Sequence, residues 1–211
     1  GGMLMYDPGV LAGLRQICND HGVLMIADEV MTGWGRTGRL WACDHAGIAP
    51  DILCTSKGLT GGAVPLAATL ACEKVSQAHY STDRARTFFH SSSYTANPIA
   101  CAAAVANVAI WEAAGMQPVL DRVAAMQAQR LAVVAARPGW ENPRQLGTIA
   151  AIDLTAAAGG YLAQEGPAMR AHFLDRGVLL RPLPEGFDVI HQPMVPARCL
   201  RSGGTGPPCC P

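Results

Sequence analysis

The sequence predicts an α/β fold, in which a mostly parallel sheet has helices on both faces. Three short apolar runs, at residues 23–27, 52–55 and 66–72, lack alternation of polar and apolar positions, which is typical of strands buried on both faces. Segments with helical spacing flank these runs. The chain has 211 residues and half of them are hydrophobic, so it can build a sizeable core. Buried strands combined with covering helices favour the α/β class.

The elements of the first half follow from local signals. Apolar residues at helical spacing predict a helix over residues 10–21, which ends at a glycine. The three apolar runs are expected to be strands. Asn97 and Pro98 then open an alanine-rich segment of high helix propensity. We therefore expect a long helix over residues 99–114.

The second half has a different organisation. Pattern and breakers predict a helix, a strand, a helix and a strand, at residues 119–137, 147–154, 161–176 and 178–181. This series favours a small α+β domain packed on the larger one. We expect a larger domain over residues 1–115, the smaller domain over 116–187, and an unstructured tail over 188–211, where breakers replace apolar periodicity.

Composition limits the classes of function. Sixteen basic residues balance sixteen acidic ones, so no net field favours nucleic acid or an anionic membrane, and we expect small-molecule partners. No apolar run is long enough for a transmembrane helix, and the first residues lack a secretory signal. Most of the eight cysteines lie singly in apolar segments, which favours buried thiols over disulfides or a metal site and indicates a cytoplasmic protein. Because the chain starts with Gly1, we expect a piece of a longer protein.

Two charged residues stand at predicted strand ends. Lys57 follows the strand at 52–55 and precedes a glycine-rich turn, and Asp28 ends the strand at 23–27. The carboxyl edge of such a sheet is where ligands bind. A lysine there can react with a carbonyl, and an aspartate can hold a pyridinium nitrogen protonated, so the pair suggests a site for pyridoxal phosphate (PLP). Taken singly, each has an ordinary alternative: a solvated lysine, and a helix-capping or solvated carboxylate.

Three segments carry a family resemblance. Residues 27–38, 49–52 and 56–62 resemble, in order and spacing, the class III PLP-dependent aminotransferases, and the likeness extends from residue 1 to about 187. The resemblance implies the large domain of a fold type I PLP enzyme, with residues 1–115 forming its carboxyl-terminal part. It implies that Lys57 is the Schiff-base lysine and proton carrier, and that Asp28 is the partner of the pyridine nitrogen.

The resemblance also assigns residues that contact the phosphate or the substrate. Ser93 stands where a hydroxyl reaches the cofactor phosphate of the neighbouring subunit, which implies a homodimer, and Ser91 becomes a substrate- or phosphate-facing position. Arg181 corresponds to the arginine that binds the substrate carboxylate, and Arg36 to a second arginine nearby, a task that suits a planar guanidinium. The alternatives are a helix-capping loop for the serines and rim charges for the arginines.

Substrate choice rests on two further segments. Residues 41–46 and the stretch from Phe89 to Ala103 resemble the members that transfer the amino group of S-adenosylmethionine to 8-amino-7-oxononanoate, giving 7,8-diaminononanoate in biotin biosynthesis. Aminotransferases of the ω-amino-acid or ornithine type are the alternative in the same class. A truncated fragment without activity is the alternative from another class, because the family's phosphate-binding Gly-Ser turn and stacking aromatic ring lack counterparts here and residues 188–211 depart from its ending, as after a shift of reading frame.

Overall fold

The computed structural model describes residues 3–90, 92–155, 165–177, 181–183 and 186–188; of residues 114, 165, 181–183 and 186–188 it describes the backbone only. The helices of these parts are α1 (Pro8–Asp20), α2 (Glu73–His79), α3 (Pro98–Ala114), α4 (Gln117–Ala135) and α5 (Glu165–Leu174), with a 3-10 helix at Ala42–His45. The strands are β1 (Ile26–Asp28), β2 (Ile52–Thr55), β3 (Ala68–Ala71), β4 (Trp140–Leu146), β5 (Ile149–Leu154), β6 (Arg181–Leu183) and β7 (Gly186–Asp188).

Side-chain caps set the start of two helices. The Asp7 carboxylate accepts a hydrogen bond of 2.7 Å from Gly9 N, so α1 begins at Pro8, two residues before the predicted start. Asn97 accepts hydrogen bonds from Ile99 N and Ala100 N, and α3 begins at Pro98 as its sequence indicates. In both helices the capping side chain accepts from N–H groups of the first turn, and the proline there lacks the N–H that would need a partner.

The first sheet has the strand order β1-β2-β3. Strands β1 and β2 are parallel, whereas β3 is antiparallel to β2. The α/β class is confirmed, but the expectation that these strands are buried on both faces is wrong for β1 and β3. Ile26 is 63% exposed and Leu70 is 52% exposed, because the helices of the described chain cover only part of this sheet.

The second sheet has the order β4-β5-β7-β6, with antiparallel neighbours throughout. Among the described residues, strand β5 is the best buried, with Ala151 and Ile152 nearly inaccessible, and α4 packs on β4 and β5. The sequence predicted β5 and α5 but not β4, β7 or the short helix α2. Predicted residues 161–164 and 178–180 lie outside the described residues, as does the tail beyond Asp188.

The loop after β1 contacts the turn between β4 and β5 at two glycines, Gly38 and Gly147. Arg36 O accepts hydrogen bonds of 3.0 Å from both the N–H and the hydroxyl of Thr148. A Cβ atom at Gly147 would lie 2.1 Å from the carbonyl carbon of Thr37, so only glycine permits this approach. The two sheets fall on either side of residue 115, and the division into two domains there stays a prediction.

Within the described residues, no single helix is both long and apolar enough to cross a membrane. Only α3 and α4 counted together, as a pair bent by 87°, reach that length and composition.

Candidate active site at the carboxyl edge of the first sheet

The carboxyl ends of β1 and β2 meet at one edge of the first sheet. Asp28, the last residue of β1, lies opposite Cys54 in the parallel register, and Glu29 N donates a 2.8 Å hydrogen bond to Cys54 O. Strand β2 ends one residue later at Thr55, and Lys57 follows in the next turn. The topology therefore places Asp28 and Lys57 at the same sheet edge, where α/β proteins bind ligands.

The side chains of Asp28 and Lys57 are both exposed and do not pair with each other. Asp28 Oδ1 accepts a 3.0 Å hydrogen bond from Val30 N, which makes a local turn rather than the helix cap that was the ordinary alternative. The ion pairs among the described residues are Arg15–Asp51 and Arg144–Asp153. An amine and a carboxylate that are accessible at one edge, and are not bound to each other, remain available to a ligand.

Hydrogen bonds fix the turn that carries Lys57. The Ser56 hydroxyl donates to Leu66 O at 2.8 Å. From α3, the Asn107 amide donates to Gly58 O at 2.9 Å and to Leu59 O at 3.1 Å. The turn is thus held on both sides of Lys57 while the lysine side chain stays exposed. The contribution of Asn107 could not be found in the sequence, since it joins residues almost fifty positions apart.

Trp34 also contacts this turn. Its indole Nε1 donates a 2.9 Å hydrogen bond to Thr55 Oγ1 at the end of β2. Its ring makes edge-to-face contacts with Trp41 and Trp111, each at a centroid distance of 5.7 Å. A Cβ atom at Gly58 would lie 2.4 Å from Trp34 Cβ, so the glycine after Lys57 is required by this packing. In the sequence, Trp34 lies in the family segment 27–38, where no local signal marks its role.

Glu29 is buried directly beside Asp28. It is 2% exposed; its Oε1 accepts a 2.9 Å hydrogen bond from Cys43 N, and its Oε2 accepts from the Thr32 hydroxyl. Burial, and secondly the Glu29 carboxylate, raise the pKa of the Cys43 thiol to about 12. Glu29 therefore connects the loop after β1 to the 3-10 helix. In the sequence, the only signal for this residue is that it follows Asp28.

Arg36 has a half-buried guanidinium without an acidic partner among the described residues. Burial lowers the pKa of this side chain, since desolvation disfavours the charged form. Its backbone is held by Thr148 at the junction of the two sheets. A desolvated cation in a fixed backbone position, with no internal counter-charge, is suited to bind an anionic group.

The remaining predicted residues lie in the loop before α3 and in the second sheet. Ser93 is exposed in that loop, with no hydrogen bond to Asp28 or Lys57, and Ser91 lies outside the described residues. An open cavity of about 1420 Å³ is bordered by Ser56 and Ser92, the chain neighbours of Lys57 and Ser93. Arg181 begins β6 and pairs with residue 188 in the backbone register. The structure describes only its backbone.

The described parts of the chain contain no group of three or more histidine, cysteine, aspartate or glutamate side chains arranged to hold an ion. The five cysteines described there, at positions 18, 43, 54, 72 and 101, are free thiols.

The comparison with known families shows to which family the chain belongs. Residues 1–195 match the model of the family Aminotransferase class-III. The chain belongs to the class-III aminotransferases. The predicted family is thus confirmed, and the motifs at 27–38 and 56–62 coincide with the sheet edge described above.

Several curated relatives of this class-III aminotransferase chain share one name. The adenosylmethionine-8-amino-7-oxononanoate aminotransferase of Synechococcus elongatus is 44% identical over 189 residues, which cover 87% of the chain and 43% of the relative. The protein of that name from Mycobacterium leprae is 40% identical over 182 residues, covering 86% of the chain and 40% of the relative. The chain spans less than half the length of the curated relatives it matches.

Solved structures confirm the predicted fold class. The adenosylmethionine-8-amino-7-oxononanoate aminotransferase of Methanocaldococcus jannaschii superposes with a TM-score of 0.82 at 29% identity, over 90% of the chain and 45% of that structure. An (S)-enantioselective omega-transaminase from Thermomicrobium roseum gives 0.79 at 30% identity, over 89% and 42%. An amine transaminase from an uncultivated Pseudomonas species, solved in its PLP-bound form, gives 0.77 at 31% identity, over 89% and 43%. These neighbours are fold type I enzymes, and class-III aminotransferases use PLP.

Proposed function

We propose that the full-length protein containing this chain is a PLP-dependent aminotransferase that transfers the amino group of S-adenosylmethionine to 8-amino-7-oxononanoate, yielding 7,8-diaminononanoate. The observation that carries the proposal is the juxtaposition of Lys57 and Asp28 at the carboxyl edge of two parallel strands. The shared name of the curated relatives supports the choice of substrates.

The residues at this edge fit PLP. The Lys57 amine is exposed and without an ion pair, so it can react with the cofactor's aldehyde. The exposed Asp28 carboxylate keeps acceptor capacity beyond its bond to Val30 N, so it can hold the pyridine nitrogen in its protonated form. When bound, PLP supplies an electron sink that stabilises negative charge on the carbon next to the transferred nitrogen.

Each side chain then has a distinct task. Lys57 Nζ would hold the cofactor and would accept and return the proton of the substrate carbon as a general base. Asp28 keeps a proton on the ring nitrogen through a charge-assisted hydrogen bond. Ser93, exposed in the loop before α3, donates its hydroxyl to the phosphate bound by the neighbouring subunit of a homodimer, and Ser91 flanks that contact.

The two arginines bind the substrate carboxylate. Arg36 brings a half-buried guanidinium that no acidic side chain of the described residues neutralises. Arg181, at the start of β6, grips the carboxylate with two parallel hydrogen bonds. Because a guanidinium can donate two parallel hydrogen bonds to a carboxylate, these positions favour substrates that carry one. A lysine at either position would lose this bidentate contact.

An aminotransferase of the ω-amino-acid or ornithine type is the second candidate. The likeness to the omega-transaminase from Thermomicrobium roseum, with a TM-score of 0.79, favours it. Lys57 and Asp28 would serve either enzyme, because donor choice depends on pocket residues and not on the cofactor pair. A chain of 211 residues that is inactive by itself remains the alternative from another class.

A panel of amino donors tests the proposal in the full-length protein. With PLP and 8-amino-7-oxononanoate present, S-adenosylmethionine should give 7,8-diaminononanoate, detected by mass spectrometry. Turnover with ornithine or a ω-amino acid, but none with S-adenosylmethionine, would select the second candidate. No turnover with any donor, despite bound PLP, would contradict the assigned reaction.

We also propose a cytoplasmic location, in keeping with the free thiols of the described cysteines.

A further inference from the structure

Trp34 has an unusual backbone conformation beside the reactive turn. Its φ angle is +58°, in the left-handed region that bulky side chains rarely adopt. Such a conformation persists where surrounding contacts hold it, and it occurs preferentially at functional sites. Here the contacts are the edge-to-face packing against Trp41 and Trp111 and the hydrogen bond from the indole to Thr55.

Trp34 contacts the chain on both sides of Lys57, at Thr55 and at Gly58. Thr55, two residues before the lysine, is 2% exposed and accepts the 2.9 Å hydrogen bond from Trp34 Nε1. Gly58, one residue after the lysine, packs so closely on Trp34 that a Cβ atom there would overlap the tryptophan's own Cβ. Trp34 therefore contacts the backbone both where it leaves β2 and where it turns, in addition to the bonds made by Ser56 and Asn107.

We propose that Trp34 and Thr55 are positioning residues that, through their hydrogen bond, hold Lys57 in the orientation needed to reach the cofactor. This inference rests on the proposed function, because it gives the bond between Trp34 and Thr55 a task only if Lys57 is the anchoring lysine. The indole acts through Lys57's chain neighbours, because it bonds to Thr55 and packs on Gly58. Loss of its N–H removes one restraint at the end of β2, so that the lysine amine spends more time in orientations that do not react.

The test measures how readily Lys57 captures PLP, independently of turnover. Full-length protein is titrated with PLP, reduced with borohydride, and the label on the peptide containing Lys57 is quantified by mass spectrometry. Trp34→Phe keeps an aromatic ring but removes the donor. We expect the PLP concentration at half-labelling to rise about fivefold, the usual net effect of one hydrogen bond on an equilibrium. Thr55→Val should give the same rise, and Thr55→Ser, which keeps the hydroxyl, should restore labelling.

Trp111→Phe is the matched control. Trp111 makes the same type of ring contact to Trp34 at the same 5.7 Å, but no hydrogen bond to Thr55. Because phenylalanine keeps a ring to pack on Trp34, this variant should shift the melting temperature without shifting the half-labelling concentration. The inference is overturned if Trp34→Phe and Thr55→Val label like the wild type, or if Trp111→Phe shifts labelling equally. Should Trp34→Phe fail to fold, the comparison of Thr55→Val with Thr55→Ser decides alone. Absence of label on Lys57 in the wild type would instead refute the proposed function.

Discussion

Two isoleucines in strands show how differently the two sheets are held together. Ile152 on β5 is 2% exposed, whereas Ile26 on β1 is 63% exposed. The second sheet is stabilised by apolar burial under α4. The reactive edge of the first sheet is fixed instead by hydrogen bonds that loops and α3 make to the ends of its strands. Because hydrogen bonds rather than apolar burial fix this edge, Lys57 and Asp28 stay accessible on a well-defined backbone.

The largest effect on activity is expected at Lys57, where a substitution should abolish catalysis and leave stability almost unchanged. Lys57→Ala in the full-length protein should lower transamination by at least about 10³-fold, because the residue is both anchor and general base. The free energy of unfolding should change by less than about 0.5 kcal/mol, as for other exposed substitutions. The chain contains one other lysine, Lys74, and Lys74→Ala is the matched control. Equal losses in both variants would remove Lys57 from its assigned role.

Asp28→Asn should have the next largest effect. Asparagine can still accept the hydrogen bond from Val30 N, so the turn after β1 is preserved while the negative charge is lost. The rate should fall by about tenfold to a hundredfold, the weight of a hydrogen bond to a charged group. Asp20→Asn, on an exposed carboxylate at the end of α1, should leave the rate unchanged. Near-normal turnover in Asp28→Asn would contradict the assignment to the ring nitrogen.

Matched truncations test the contrast between the sheets. Ile152→Ala should destabilise the 211-residue chain by about 2–5 kcal/mol, because it leaves a cavity in a packed core. Ile26→Ala should cost less than about 0.5 kcal/mol, since most of that side chain is already in water. Urea denaturation measures both. Similar costs for the two isoleucines would show that the contrast in burial is wrong.

The smallest effect concerns the anchor between α1 and the start of β1. Met25 N donates to Asp51 Oδ2 at 2.8 Å, and Arg15 pairs with the same oxygen at 2.7 Å; these two interactions, in that order, lower the pKa of Asp51. The stabilisation is therefore present above the unfolded-state pKa of about 3.9 and is lost as the pH falls through the lower folded-state value. Asp51→Asn should flatten the acid limb of a stability–pH profile. An unchanged acid limb would show that Asp51 does not contribute to it.

The sequence predicted best those elements that local signals define. Asn97 before Pro98 located α3 to within one residue, and the apolar run 52–55 located β2. Strand β1 begins three residues later than its apolar run, because Met25 N bonds to the Asp51 side chain rather than to a strand. Strand β4 was missed because it contains a proline and few apolar residues, which argue against a strand; its pairing with β5 is irregular between Glu141 and Arg144.

The candidate site was predictable to the extent that strand ends and family motifs mark it. Lys57 and Asp28 were found because both follow apolar runs, and the parallel register brings the two strand ends to one edge. The contacts that hold the edge could not be predicted. The bond from Trp34 to Thr55 depends on a left-handed residue that is not glycine, and the pairing of Asn107 with Gly58 depends on how α3 crosses the turn.

Identification of the residue that binds PLP tests the central claim most directly. The full-length protein is incubated with PLP, reduced with borohydride and digested, and the labelled peptide is sequenced by mass spectrometry. The account predicts a single label on Lys57, abolished in Lys57→Ala and unaffected in Lys74→Ala. A label on Lys74 or on any lysine outside this chain, with Lys57 unmodified, would contradict it.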